Sequence, residues 1–246
     1  MTQTHSSFSF KTIGVIKSPF RQKFGIPRQP GLTPEIKSSI VLEAEYASDD
    51  IVDQLSLSSH IWILFVFSAC YKKDWSEKVR PPRLGGNKKI GVFASRSPFR
   101  PNPIGMSAVK LTGIRKQPGS LIIDVLAADL LDGTPVIDIK PYIPYADKLT
   151  DASNQLAESI SLLSQPIFFS SQALQVCEQI LLSGAENLRV EIEQVLRCDP
   201  RPAYQKDQQR IYGLSLYNLN IRWQISTERI DVLSIENLSS DLGAFD

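Results

Sequence analysis

The chain has 246 residues, 42% apolar and 22% charged, with a formal net charge of +1. That make-up belongs to a globular protein long enough for a sizeable core, and it excludes a collagenous, disordered or strongly basic chain. No apolar run approaches the roughly 18 residues of a membrane helix, and the opening MTQTHSS lacks a basic flank and an apolar stretch, so neither a membrane span nor a secretory leader is read and the cytoplasm is expected.

From the N-terminus, β-favouring alternation runs over residues 8–16 and again over 40–46, where Ile40, Leu42, Ala44 and Tyr46 share a face. Residues 49–57 read as one short helix. The continuous run IWILFVFSA, residues 61–69, reads as a central strand covered on both faces. Strands over 90–94, 107–114, 121–127 and 136–139 follow. Many strands joined by Gly/Pro-rich connections, with hardly a helical period, predict a mainly β barrel or sandwich.

Pro141 and Pro144 in KPYIPYAD mark the exit from this domain, placed at residues 1–148, and 149–166 reads as a linker. Residues 167–246 form a small α+β domain. Leu174, Cys177, Ile180 and Leu181 share a face of a helix over 172–182, and Leu188, Ile192, Val195 and Leu196 do so over 188–196, with Gly184 as the stop between them. Strands over 212–217, 219–225 and 230–235 complete it.

The chemistry-bearing residues are few. Cys70, Cys177 and Cys198 are odd in number and widely spaced, and the histidines His5 and His60 fall in no CxxC or HxxxH pattern, so neither a disulfide framework nor a metal site is expected. There is no GxGxxG after a strand, no P-loop and no GxSxG elbow, which weighs against hydride transfer, nucleotide hydrolysis and triad chemistry. Residues 72–89 carry seven basic side chains (Lys72, Lys73, Lys78, Arg80, Arg83, Lys88, Lys89) against Asp74 and Glu77, with Trp75 among them. Such a run is a solvated face or a phosphate-contacting patch with an aromatic for stacking.

Several polar loops are stiffened by proline. GIPRQPGL, residues 25–32, brackets Arg28 and Gln29 between Pro27 and Pro30, each of which fixes its own φ and restrains the residue before it. It is a turn with incidental polar residues, or an arm pre-ordered for a ligand. In SRSPFRPNPIG, residues 95–105, Pro98, Pro101 and Pro103 exclude a helix, so an extended path can aim Arg96 and Arg100 at separate anionic targets. DLLDG, residues 129–133, is a turn or a pair of carboxylate acceptors in Asp129 and Asp132. His60, at the lip of the most apolar strand, is a structural histidine or an acid–base group. In DPRPAY, residues 199–204, Arg201 and Tyr204 could stack on or hydrogen-bond an unstacked base.

Taken together, IGVIKSP, KFGIPRQPG, FVFSACY, PPRLGG, GVFASRSPFRPNPIG, DLLDGTPVIDIKPYIPYAD and DPRPAY resemble the bacterial TrmO-type tRNA methyltransferases, formerly the TsaA-like or YaeB proteins, over nearly the whole chain. The resemblance implies a β-barrel domain that binds S-adenosylmethionine, a homodimer, and a tRNA substrate bearing threonylcarbamoyladenosine beside the anticodon, methylated on the exocyclic nitrogen. It places cofactor contacts on Pro27, Arg28, Gln29, Phe67, Ser68, Arg96, Met106, Asp129, Leu130, Leu131 and Asp132. It leaves the catalytic group open among His60, Asp199, Arg201 and Tyr204. A non-catalytic RNA-binding module and a small-molecule methyltransferase are the competing readings, and the basic 72–89 segment with the small domain is expected to grip the anticodon loop.

Overall fold

The computed structural model describes residues 7–70, 75–81, 88–156, 162–184, 187–201, 207 and 210–238. In chain order, its strands begin with β1 (Gly14–Lys17), β2 (Lys37–Leu42), β3 (His60–Val66), β4 (Lys78–Val79), β5 (Ile90–Gly91), β6 (Ile104–Gln117), β7 (Ser120–Leu126) and β8 (Pro135–Pro141). The short helix α1 (Pro144–Asp147), β9 (Ile167–Phe169), α2 (Ser171–Leu182), α3 (Leu188–Arg197), β10 (Tyr212–Leu216), β11 (Leu219–Ile225) and β12 (Ile230–Asn237) follow.

A closed barrel runs in the order β1-β2-β7-β6-β3-β8, with β8 returning antiparallel to β1. Period-two alternation puts Ile16, Ile40, Ile61, Ile63, Val109, Leu121, Ile123 and Val136 inside, all nearly free of solvent contact. The expected two-sided cover of the 61–69 run is corrected here. On β3, Ile61, Ile63 and Phe65 are buried while Trp62, Leu64 and Val66 on the outer face are half-buried, because a barrel encloses only one face of each strand. Phe65 lies opposite Gly105 in the β3–β6 register, and a Cβ at Gly105 would fall 2.2 Å from the Phe65 ring, so the close packing of this pair requires glycine.

Other boundaries shift for similar reasons. Residues 8–13 and 43–46 lie outside β1 and β2, and Ala44–Tyr46 is a 3-10 turn. The single helix expected over 49–57 is two 3-10 turns, Asp50–Val52 and Leu55–Leu57, split by Gln54 at φ +59°. The expected 90–94 strand pairs only at Ile90–Gly91 with β4 and then becomes a 3-10 turn, Val92–Ala94.

The C-terminal sheet has the order β10-β11-β12-β9, with β9 parallel to β12. Ser170 accepts from the Ala173 N–H and Asn187 accepts from the Val190 N–H, so each long helix starts on a side-chain cap. Trp223 is fully buried and stacks on Tyr212 at 4.9 Å. The residues just before β9 fall within the expected linker and are tied to α3: Leu163 N–H donates to Arg197 O at 2.8 Å, and Arg197 Nη1 donates to Leu163 O and Gln165 O, both at 2.7 Å.

The segment between β1 and β2 ties the two parts together. Phe20 and Ile36 are fully buried in the core of the C-terminal sheet and helices, with Phe24 and Ile26 packed against it. Tyr217 N–H donates to Pro19 O at 2.7 Å, and Glu35 N–H donates to Gln194 Oε1 at 3.1 Å. This barrel connection is therefore also part of the small domain's core.

Candidate functional site

Antiparallel order brings to one rim the C-terminal ends of β1, β3 and β7 and the N-terminal ends of β2, β6 and β8. The loops containing residues 25–32, 67–70, 95–103 and 127–134 therefore gather there, although they are distant in sequence. They are cross-tied: Gly31 N–H donates to Ala127 O at 3.0 Å, Phe67 N–H to Pro103 O at 2.9 Å, and Lys23 Nζ to Ala69 O at 2.8 Å. Arg96 Nη1 donates to Gln29 Oε1 at 2.6 Å, joining the two proline-stiffened loops.

Asp129 sits just inside this rim. Ser107 Oγ, whose residue is buried within the barrel wall, donates to Asp129 Oδ1 at 2.6 Å. Burial pushes the Asp129 carboxyl above its ordinary 3.8, while the Ser107 hydroxyl, its own backbone N–H and the Arg96 charge pull in the opposite direction. The Phe67 ring meets Phe65 edge-on at 5.0 Å and continues the apolar lining to the rim, where Ser68 opens the turn Ser68–Cys70.

The remainder of the 129–132 stretch is hydrogen-bonded to its surroundings. Leu130 is buried in the barrel core and its carbonyl accepts from Ser18 Oγ at 2.7 Å. The Leu131 carbonyl accepts from Thr134 Oγ1 at 2.7 Å. Asp132 accepts from the Ser18 N–H at 3.0 Å and from Arg21 Nη1 at 2.6 Å, so both of its oxygens tie this turn to the end of β1. Arg100 Nη1 donates to Ser95 O at 3.3 Å and closes its own loop. Met106 is exposed on the outer barrel face, opposite Leu64 in register.

Beside the rim, a cleft of about 230 Å³ opens between residues 23–28 and 198–201. Asp199 adopts a left-handed φ of +49°, and its carboxylate accepts from Arg201 Nε at 2.7 Å and Arg201 Nη2 at 2.9 Å. The Asp199 hydrogen bond raises the Arg201 pKa further and fixes the plane of its guanidinium at the cleft wall. Arg28 Nη2 reaches the Arg201 carbonyl at 3.5 Å, so the tripeptide Pro27–Arg28–Gln29 touches both the barrel loop and the small-domain loop.

His60 is not brought to this site. It begins β3 at the opposite rim, roughly 20 Å away along the strand, where its Nδ1 lies 2.9 Å from Ser59 Oγ and its ring meets Tyr142 edge-on at 6.4 Å. Tyr204 lies outside the described residues, as do Lys72, Lys73 and Arg83 of the basic run. Sequence reading missed Ser107. The signal was a hydroxyl in inward register with Gly105 and Val109 on an otherwise apolar strand face.

Comparison with known proteins agrees with this architecture. Residues 15–148 match the family model described as the tRNA-methyltransferase O N-terminal domain, and residues 164–238 match the TrmO C-terminal domain. A protein of Escherichia coli (strain K12) named tRNA (adenine(37)-N6)-methyltransferase is 44% identical over 236 residues, 94% of this chain and 99% of that protein. A Pseudomonas aeruginosa protein whose name includes "S-adenosylmethionine-dependent methyltransferase RcsF" is 42% identical over 216 residues, 87% of this chain and 91% of its own. A crystal structure of TrmO from Pseudomonas aeruginosa superposes with a TM-score of 0.78 at 33% identity, covering 94% of this chain and 99% of that one. With both domain models matched in order and the barrel shared with solved members, the chain belongs to the TrmO family.

Proposed function

We propose that this protein methylates the N6 nitrogen of adenosine 37, beside the anticodon of tRNA, using S-adenosylmethionine, and that the adenosine already carries a threonylcarbamoyl group. The observation that carries the reading is the double contact of the 27–29 tripeptide. Gln29 is bonded to Arg96 on the barrel rim, and Arg28 reaches the Asp199–Arg201 loop of the cleft. A cofactor at the first and an acceptor at the second would be neighbours.

The donor set fits S-adenosylmethionine. Asp129 offers a carboxylate, stiffened by Ser107, to an ammonium or hydroxyl group, the Gln29 amide is already oriented by Arg96, and Phe67 presents an apolar ring. Bound there, the cofactor supplies a methyl group already activated by positive sulfur. Pro27, Arg28, Gln29, Phe67, Ser68, Arg96 and Asp129 form the contacting set in this reading, while Leu130, Leu131 and Asp132 hold the loop in shape. Pre-ordered loops reduce the entropy lost on binding, and placing reacting atoms about 3 Å apart accounts for much of the rate of such a transfer.

The acceptor nitrogen is amide-like and a weak nucleophile, so orientation matters as much as activation. Arg201, held flat by Asp199, is placed to pair with the carboxylate of a threonyl group, which selects the modified base over plain adenosine. Asp199 acts here by positioning Arg201, and His60 has no part at this rim.

The protein works as a cytoplasmic homodimer in this reading. The outer barrel stripe formed by Trp62, Leu64, Ile104 and Met106 is apolar, with Met106 52% exposed, and offers the surface for a second copy. The test is methyl transfer from labelled S-adenosylmethionine to tRNA with and without the threonylcarbamoyl modification. Label incorporated only into modified tRNA supports the reading. Label in neither RNA, despite cofactor binding by calorimetry, or no cofactor binding at all, overturns it.

A further inference from the structure

We infer that the β4–β5 ribbon, with the Phe93 turn at its end, is a stacking platform for unpaired nucleotides flanking the methyl-accepting base. The inference rests on the tRNA reading above. Phe93, on the turn Val92–Ala94, is 77% exposed, and Trp75 is 49% exposed. The Val92 N–H donates to Glu77 O at 2.9 Å, one register step beyond the Lys78–Gly91 pair, so the segments bearing Phe93 and Trp75 leave the same end of the ribbon. The Arg100 guanidinium lies 6.0 Å from the Phe93 ring centroid. A base laid on Phe93 would thus meet an aromatic face with a cation beside it.

The other end of the ribbon is basic. Arg80, Lys88 and Lys89 flank the Val79–Ile90 pair there and are all exposed, and Glu77 is the only acid among the described residues from 75 to 94. The chain continues from Phe93 to Arg96, which is bonded to Gln29 on the cofactor rim, so the aromatic end adjoins the reaction site and the basic end points away from it. That order matches a single-stranded nucleic acid whose splayed bases lie near the acceptor and whose phosphates run outward. A second copy of this chain is a poor occupant, because two such ribbons face to face would oppose like charges.

The test uses the full chain and an anticodon stem-loop RNA carrying threonylcarbamoyladenosine, followed by fluorescence anisotropy across a salt series. Phe93→Ala is expected to weaken RNA binding about ten-fold, with the dependence on log salt unchanged, and Phe93→Trp to recover the affinity. Replacing Lys88 and Lys89 together by Ala should reduce the salt slope by about one to two. Cofactor affinity by calorimetry and molecular mass by light scattering should match wild type in every variant, which also controls for folding. Wild-type RNA affinity in Phe93→Ala, while the wild-type enzyme still methylates RNA, overturns the platform alone. A drop in molecular mass that parallels the loss of RNA binding reassigns the surface to self-association and also overturns it. Absence of both RNA binding and methyl transfer in the wild-type protein overturns the tRNA reading and the platform with it.

Discussion

Arg96 donates to the side-chain oxygen of Gln29 at 2.6 Å, across 67 residues of sequence. Each partner stands in a loop whose prolines have already removed much of its freedom, so the bond is made between two nearly fixed arms. Gln29→Ala and Arg96→Ala should each lower S-adenosylmethionine affinity by about ten-fold, on the scale of a hydrogen bond to a charged group. The double variant should lose less than the product of the two, and calorimetric titration of the four proteins reads that coupling.

Asp129 gives a pH signature. Its pKa is raised by burial, so the folded protein holds this proton more tightly than the unfolded chain does. Its contribution to stability is therefore fully present below about 3.8 and is lost as pH rises through the higher folded value. Asp129→Asn removes that loss and keeps an acceptor for Ser107. The variant's Tm relative to wild type should rise as pH increases above about 4, while its cofactor affinity falls. A difference in Tm independent of pH would count against the assignment.

Asp199 and Arg201 separate strain from pairing. Asp199→Gly relieves the left-handed φ while deleting the carboxylate, whereas Asp199→Ala deletes the carboxylate and keeps the strain, about 1–2 kcal/mol relative to glycine. Both variants should raise KM for modified tRNA with cofactor affinity unchanged, and Asp199→Ala should have the lower Tm of the two. Arg201→Lys should fail to restore activity, because an ammonium cannot reproduce the two-point contact.

Gly25, in the barrel connection, packs directly against Leu214 of the small-domain core. Its φ is +95°, and an added Cβ would sit 2.1 Å from Leu214 Cδ1. Gly25→Ala combines backbone strain with overpacking, for a loss of about 2–4 kcal/mol in urea unfolding. A loss below about 0.5 kcal/mol would show that Leu214 moves aside freely.

The thiols should differ in reactivity. Burial pushes Cys177 up to about 11, whereas Cys70 and Cys198 are partly exposed. Alkylation of the native protein at pH 8, read by peptide mass spectrometry, should modify Cys70 and Cys198 and spare Cys177. Cys198 lines the cleft, so a bound RNA stem-loop should slow its modification and leave Cys70 as the internal reference.

The repeating signals were legible in the chain itself. Alternation at Leu219, Ile221, Trp223 and Ile225 defines β11 to the residue, and the helical period at Leu188, Ile192, Val195 and Leu196 locates α3. Those patterns are local consequences of which face meets a core. Boundaries were less legible wherever a loop or a closed barrel replaced a regular sheet, as at residues 8–13 and 49–57. The stiffness of the 25–32 and 95–105 loops was readable from proline alone, and family resemblance supplied the ligand they would serve.

Which residues share a site depended on strand order. Closing β8 onto β1 puts His60 at one rim and Gln29, Arg96 and Asp129 at the other, and no local pattern encodes that separation. Passage of Phe20, Phe24, Ile26 and Ile36 through the small-domain core is equally invisible in one dimension, because an apolar residue in a loop does not announce which core it will enter. Sequence determined the strongly periodic elements, the stiff loops and the family, since these rest on neighbouring residues. Tertiary structure decided the partners of Arg96, Asp129 and Arg201, since hydrogen bonds and burial are set by whatever the fold brings within about 3 Å.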